Sequence, residues 1–182
     1  MKGYYNNKEA TDEVLDKDGW LHTGDVGAFT MRGDLIIAGR AKDTIVLLGG
    51  ENVEPTPIEE RIEESEYISH AVVVGDDKKA LGALIVLEEE KLRNLLGEWK
   101  EDFRSLEEAV TNAKVVDLVK DQIKHLVNDS KDFHPFEKIS AFTIIPAKFS
   151  IGKELTNSLK KKRQYIVEQY NHYINIMFHK EK

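Results

Sequence analysis

Four short stretches carry residue types that suit the recognition of sugars and anions. In "HTGDVG", Asp25 follows a glycine in a turn between two apolar runs. A carboxylate fixed there can accept two hydrogen bonds from a sugar diol, or it can cap its own turn. In "GRAKD", Arg40 offers five fixed donors to a phosphate or ribose, with Lys42 and Asp43 close behind. The alternative is a solvated charge cluster entering a strand. In "LLGGEN", Gly49 and Gly50 end an apolar strand, which permits a positive φ or the close approach of a ligand to the backbone. An ordinary hairpin turn would use them equally well, and the spacing is neither a P-loop nor a dinucleotide fingerprint.

The fourth stretch, "ELTNSLKKKRQ", sets Thr156, Ser158 and Lys160 on a turn leading into a helix. Lys160, Lys161, Lys162 and Arg163 form a strong basic run in a chain whose net charge is −7. Cations near a helix start oppose its dipole, which is easier to understand if an anion meets them there. A solvated basic face, or a patch that touches a membrane surface, is the other reading. The six histidines and the acids show no metal-ligand spacing, so no metal site is assigned. No nucleophile with a base partner can be placed.

These stretches need a scaffold. The chain has 182 residues, 41% hydrophobic and 32% charged, which reads as globular rather than disordered. The acidic balance argues against a general nucleic-acid binder. The absence of cysteine fits a reducing compartment, and the N-terminus lacks a signal-peptide core; a cytoplasmic location is expected. The first stretch is dense in Gly and Asp and reads as short strands in "GWLH", "VGAFTM" and "DLIIAG", with a short helix over Lys8–Leu15. "DTIVLLGG" is a further strand that could form a hairpin with "DLIIAG". Thr56, Pro57 and Glu59 spell a capping box, and Ser105 with Glu108 a second one that opens a long helix. "SHAVVVGD", "ALGALIVLE" and "EKISAFTIIP" read as strands, and about Asn157 to Phe178 as a closing helix. The fold class expected is α+β: a short hairpin and a roughly three-stranded sheet packed with about three helices, preceded by a β-rich end. The composition changes near Gly39, which divides the chain into a β-rich segment 1–39 and an α+β unit 40–182.

Taken in order, "GYYNNKEATDEVLDKDGWLHTGDVG", "GRAKDTIVLLGGENVEPTPIE", "VVVGDDKKALGALIVLEE" and "FEKISAFTIIPAKFSIGKELTNSLKKKRQYIVEQY" resemble the C-terminal third of adenylate-forming enzymes. Among these, the ending is similar to AMP-forming long-chain fatty acyl-CoA synthetases. The resemblance implies a reaction in two steps. A fatty carboxylate attacks the α-phosphate of ATP, with Mg2+ present, and pyrophosphate leaves; coenzyme A then takes the acyl group and AMP leaves. It also implies that segment 1–39 is the tail of a larger adenylation domain and that 40–182 is a mobile lid which rotates between the steps. By the same resemblance, Asp25 and Arg40 bind the nucleotide and Lys42 is the hinge. Gly49 and Gly50 line the pantetheine tunnel. Lys160 bridges carboxylate and α-phosphate, with Thr156 and Ser158 shaping its loop. Leu159 stands where many relatives have glycine. The phosphate-cradling loop, the fatty-acid pocket and the magnesium-binding glutamate are not in this sequence, so the chain is expected to be a fragment inactive alone. Two other readings use the same residues: a partner-binding module without catalysis, and a ligase that delivers the acyl group to a carrier-protein pantetheine.

Overall fold

Two consecutive apolar strands in the first forty residues pair with each other. In the computed structural model, which describes residues 1–98, 103 and 105–179, β1 (Asp25–Phe29) and β2 (Leu35–Arg40) form an antiparallel hairpin. Its turn is closed by Thr30 and Gly33, the latter at φ +88°. A short helix α1 (Lys8–Val14) precedes it, capped by the Asn7 side chain accepting from the Ala10 N–H. "GWLH" supplies only an isolated bridge between Leu15 and Leu21. The expected pairing of "DLIIAG" with "DTIVLLGG" does not form. β2 is instead paired along its length with β1, and β3 (Ile45–Val46) closes over its own turn to pair with β4 (Asn52–Val53).

Contacts divide the chain into two compact units, Met1–Lys42 and Asp43–Lys182. Arg40 and Ala41 are bonded into the hairpin, opposite Asp25 and Gly24, which is why the division falls three residues beyond the compositional change.

The second unit is built on a three-stranded sheet in the order β5 (Ile68–Val74), β6 (Leu81–Leu87), β7 (Ile139–Ile144). β5 and β6 are antiparallel, β6 and β7 parallel. The central strand is buried on both faces, as its unbroken apolar run requires. Leu81, Ala83, Ile85 and Leu87 face a core with α2 (Pro55–Glu63), α3 (Glu89–Glu98) and α5 (Ala113–Ile123). Leu84 and Val86 face a second core with Ile166 of α6 (Arg163–Gln169) and with Ile174 and Met177 of α7 (Asn171–His179). The parallel return from β6 to β7 is the long crossover through α3, the single turn α4 (Leu106–Ala109) and α5.

Three helix expectations are corrected. α2 begins at Pro55 with Glu54 as its cap residue, not at Pro57 with Thr56 as cap, and Glu59 is buried rather than capping. Ser105 makes no side-chain cap bond, and the helix it opens stops at Ala109. Thr111 bonds back to the Glu108 carbonyl, and α5 restarts behind the Asn112 side chain, ending in a π-helical turn at Lys124–Asn128. The closing helix starts at Arg163, not Asn157, and breaks at Tyr170. No helix among the described residues is long and apolar enough to cross a membrane.

Candidate functional site

The segment between β7 and α6 holds the basic run, and a buried carboxylate organises it. Glu154 is 5% exposed. It accepts from the Ser150 N–H at 3.0 Å and the Tyr170 hydroxyl at 3.3 Å. Burial alone would raise its carboxyl, but the hydrogen bonds from Ser150, its own backbone and Tyr170 outweigh burial and hold it below the usual value. Burial and the neighbouring Glu154 charge push the Tyr170 phenol up to about 12.

Beyond Glu154 the chain makes a tight loop. The Thr156 N–H donates to the Lys160 carbonyl, and the Lys160 N–H donates to Thr156 Oγ1 at 3.0 Å. Thr156 Oγ1 also meets Ser158 Oγ at 3.0 Å. The reversal passes through Leu159 at φ +61°, a conformation that costs an L-residue about 1–2 kcal/mol and favours glycine. Thr156 therefore bonds to both the N–H and the carbonyl of Lys160, and Ser158 bonds to Thr156.

The four cations of the run have separate fates. Lys161 Nζ lies 2.7 Å from Glu59 and 2.8 Å from Glu63, and donates to the Ala71 carbonyl at 2.8 Å. Lys162 donates to the Gly152 carbonyl at 2.9 Å. Arg163 donates to Glu59 and to the Val73 carbonyl. Lys160 is exposed, and its ammonium has no ion pair or side-chain hydrogen bond among the described residues. Within the basic run the charges are therefore not equivalent. Three cations are bound inward and one is presented. The acid that receives most of them, Glu59, is 1% exposed. The sequence reading gave Glu59 a capping role and assigned none to Glu63, Glu154 or Tyr170 at this site. A usable signal existed in "PIEERIEE": the two glutamates repeat at i, i+4 beside Ile58 and Ile62, on the stripe that faces the core. His70 lies next to this cluster; burial lowers its titration, Glu63 opposes that, and the Lys161 ammonium adds to it.

The glycine turn rests on a different scaffold. Leu47 N–H bonds to Glu51 and Gly50 N–H to Leu47, with Gly50 at φ +89°. The turn is clasped by the β5–β6 connection: Leu48 N–H donates to the Lys78 carbonyl, Asp77 N–H to the Val46 carbonyl, and Val46 N–H to the Asp76 carboxylate. Gly49 and Gly50 are both exposed. In place of the hydrogen at Gly49, a Cβ would meet the Glu51 carboxylate.

In the first unit, Asp25 and Arg40 are cross-strand partners, Arg40 Nε lying 3.0 Å from Asp25 Oδ1. Arg40 also donates to the Thr23 carbonyl, and the Asp25 N–H to Thr23 Oγ1. A guanidinium and a carboxylate held side by side offer a ribose both donors and acceptors. Lys42 is exposed at the division between the units. Among the described residues, no group of three His, Cys, Asp or Glu side chains is placed to hold a metal ion.

Known proteins share this arrangement of chain. The long-chain-fatty-acid–CoA ligase FadD15 of Mycobacterium tuberculosis is 37% identical over 100% of the chain, which spans 30% of that protein. The human long-chain-fatty-acid–CoA ligase ACSBG1 is 33% identical over 99% of the chain, which spans 27% of it. The crystal structure of the adenylation domain of a Mycobacterium chelonae carboxylate reductase matches the fold with a TM-score of 0.78 at 23% identity, over 96% of this chain and 25% of that one. The chain thus spans under a third of the length of these proteins. Its residues 42–182 match the model of the AMP-binding enzyme C-terminal domain, and the chain belongs to that family.

Proposed function

We propose that the chain is the C-terminal lid, with its hinge and an adjoining hairpin, of an AMP-forming long-chain fatty acyl-CoA ligase. The observation that carries this reading is Lys160: an exposed ammonium with no ion pair or side-chain hydrogen bond among the described residues, next to three cations of the same run that the protein holds, within a chain of this family. In the first step an oxygen of the fatty carboxylate attacks the α-phosphorus of ATP, the bond to the bridging oxygen breaks, and pyrophosphate departs. Lys160 stabilises the negative charge that gathers on the transferring group. In the second step the coenzyme A sulfur attacks the acyl carbon, the acyl–oxygen bond breaks, and AMP departs with that oxygen. The exposed Gly49–Gly50 turn then lies beside the pantetheine arm, where a side chain would obstruct it. Asp25 and Arg40 hold the ribose. No magnesium ligand is assigned to this chain; the ion, the fatty-acid pocket and the phosphate loop belong to the upstream adenylation domain. The hairpin supports the presence of such a domain: Phe29, Met31, Ile36 and Ile37 are all more than half exposed, and two strands alone cannot bury them.

The test uses the complete protein, with the upstream domain. Fatty-acid-dependent exchange of pyrophosphate into ATP, followed by CoA-dependent release of AMP, is expected. Lys160→Ala is expected to slow adenylate formation by about 100-fold or more while conversion of supplied acyl-adenylate to thioester changes far less. Equal losses in the two half-reactions would contradict the role of Lys160. Absence of fatty-acid-dependent exchange in the unaltered protein would leave a partner-binding module. Offering a carrier-protein pantetheine beside coenzyme A decides the acceptor.

A further inference from the structure

The outer edge of β5 is closed by side chains instead of a fourth strand. Ala71 and Val73 pair with Ile85 and Ala83 of β6, and their own N–H and C=O groups point away from the sheet. On that side the Ala71 N–H donates to Glu63 at 2.8 Å and the Val73 N–H to Glu59 at 2.8 Å. The Ala71 carbonyl accepts from Lys161 and the Val73 carbonyl from Arg163. The same carboxylates pair with the same cations, so four charged side chains and four backbone groups form one closed network. Asp43, the first residue after Lys42, reaches the Arg163 guanidinium at 4.0 Å.

Such a network is an inefficient way to stabilise a fold. A buried ion pair barely repays the loss of hydration of its members, and apolar side chains of similar volume often do as well. What the network does provide is position. It fixes Lys161 and Arg163, and Lys161 is the residue directly after Lys160. On the other side of the loop, Glu154 is fixed through Ser150 and Tyr170, and its carbonyl accepts the Lys162 N–H at 2.8 Å. The strained Leu159 and the free Lys160 lie between these two anchors.

We infer that Glu59, Glu63, Lys161 and Arg163 are a latch of positioning residues that locks the Lys160 loop to the edge of the sheet and so aims the Lys160 ammonium. The inference rests on the reading of Lys160 given above, but the latch itself has a readout that needs no activity. Lys161 is partly exposed, so Lys161→Met removes the ammonium, keeps the apolar stem and leaves Glu59 paired with Arg163.

Hydrogen–deuterium exchange on the complete Lys161→Met protein is expected to speed about tenfold or more across residues 154–162 while β6 stays within about twofold of the unaltered protein. Glu59→Gln is expected to do the same if it folds, and Lys161→Arg to restore protection. Adenylate formation should fall about tenfold or more, because small misplacements of a catalytic group are costly, with thioester formation from supplied adenylate within about twofold. Unchanged protection in 154–162, equal acceleration of β6, or parallel loss of both half-reactions would overturn the latch. If the unaltered protein forms no acyl-adenylate, the reading of Lys160 falls, and the exchange data decide the latch by themselves.

Discussion

Glu154 and Tyr170 tie the stem of the Lys160 loop to α6 through one hydrogen bond of 3.3 Å. Because the carboxyl of Glu154 is held below its ordinary 4.5, its contribution to stability is complete above that value and fades as the pH falls through the lowered one. The phenol behaves in the opposite sense. Raised from 10.0 to about 12, it supports the fold below 10 and loses that support as the pH climbs toward 12. Glu154→Gln should therefore lie below the unaltered protein in thermal midpoint at neutral pH, with a gap that shrinks from about pH 6 to about pH 3. Tyr170→Phe should lose less than the unaltered protein between about pH 10 and about pH 12. Melting curves across both ranges check the pair of effects, and a gap independent of pH in either range would refute the assignment. Neither residue was legible beforehand. Both depend on a contact across sixteen positions between a loop and a helix, and no periodicity or motif announces that.

Secondary structure shows where local rules decided the outcome and where tertiary contacts overrode them. β5, β6 and β7 were legible because their runs are long, β-branched and bounded by turns. Lys160, Thr156 and Ser158 could be grouped from their spacing, and the structure does place them in one loop. Glu59 was misread as a capping residue because its partners, Val73 and Arg163, lie 14 and 104 positions away. α3 has an apolar stripe that passed unnoticed, with Leu92 and Leu96 buried. The glycine turn allows stability and chemistry to be separated. Gly50, at φ +89°, needs glycine for its backbone, whereas at Gly49 the obstacle is the mobile end of Glu51. Gly50→Ala is expected to destabilise the protein by about 1 kcal/mol. Gly49→Ala should cost less than half of that by about the same reasoning, yet slow thioester formation if pantetheine passes there. Chemical denaturation with the two half-reaction assays checks both. A Gly49→Ala protein with full thioester activity would remove that turn from the acceptor path.

Lys42 occupies the division between two units that each have their own hydrogen bonds. On one side the Ala41 N–H is bonded to the Gly24 carbonyl, the last link of the hairpin. On the other, Asp43 is half-buried and faces Arg163. The Lys42 side chain is exposed, so nothing in its packing demands lysine. A change of pose during turnover would concentrate its backbone rotation in the stretch between those two anchors. Proline at this position fixes φ near about −65° and drives Ala41 toward extended conformations, so it allows one pose at most. In the complete protein, Lys42→Pro is expected to keep one half-reaction within about threefold while the other falls about tenfold or more, with adenylate formation the one retained. Lys42→Gly, which adds freedom instead of removing it, should spare both. Rapid-quench measurement of acyl-adenylate and of thioester in single turnovers separates the steps. If Lys42→Pro makes thioester at the unaltered rate, the pivot is elsewhere, and the next place to look is Asp43, whose bond to Arg163 would then have to break and reform each cycle.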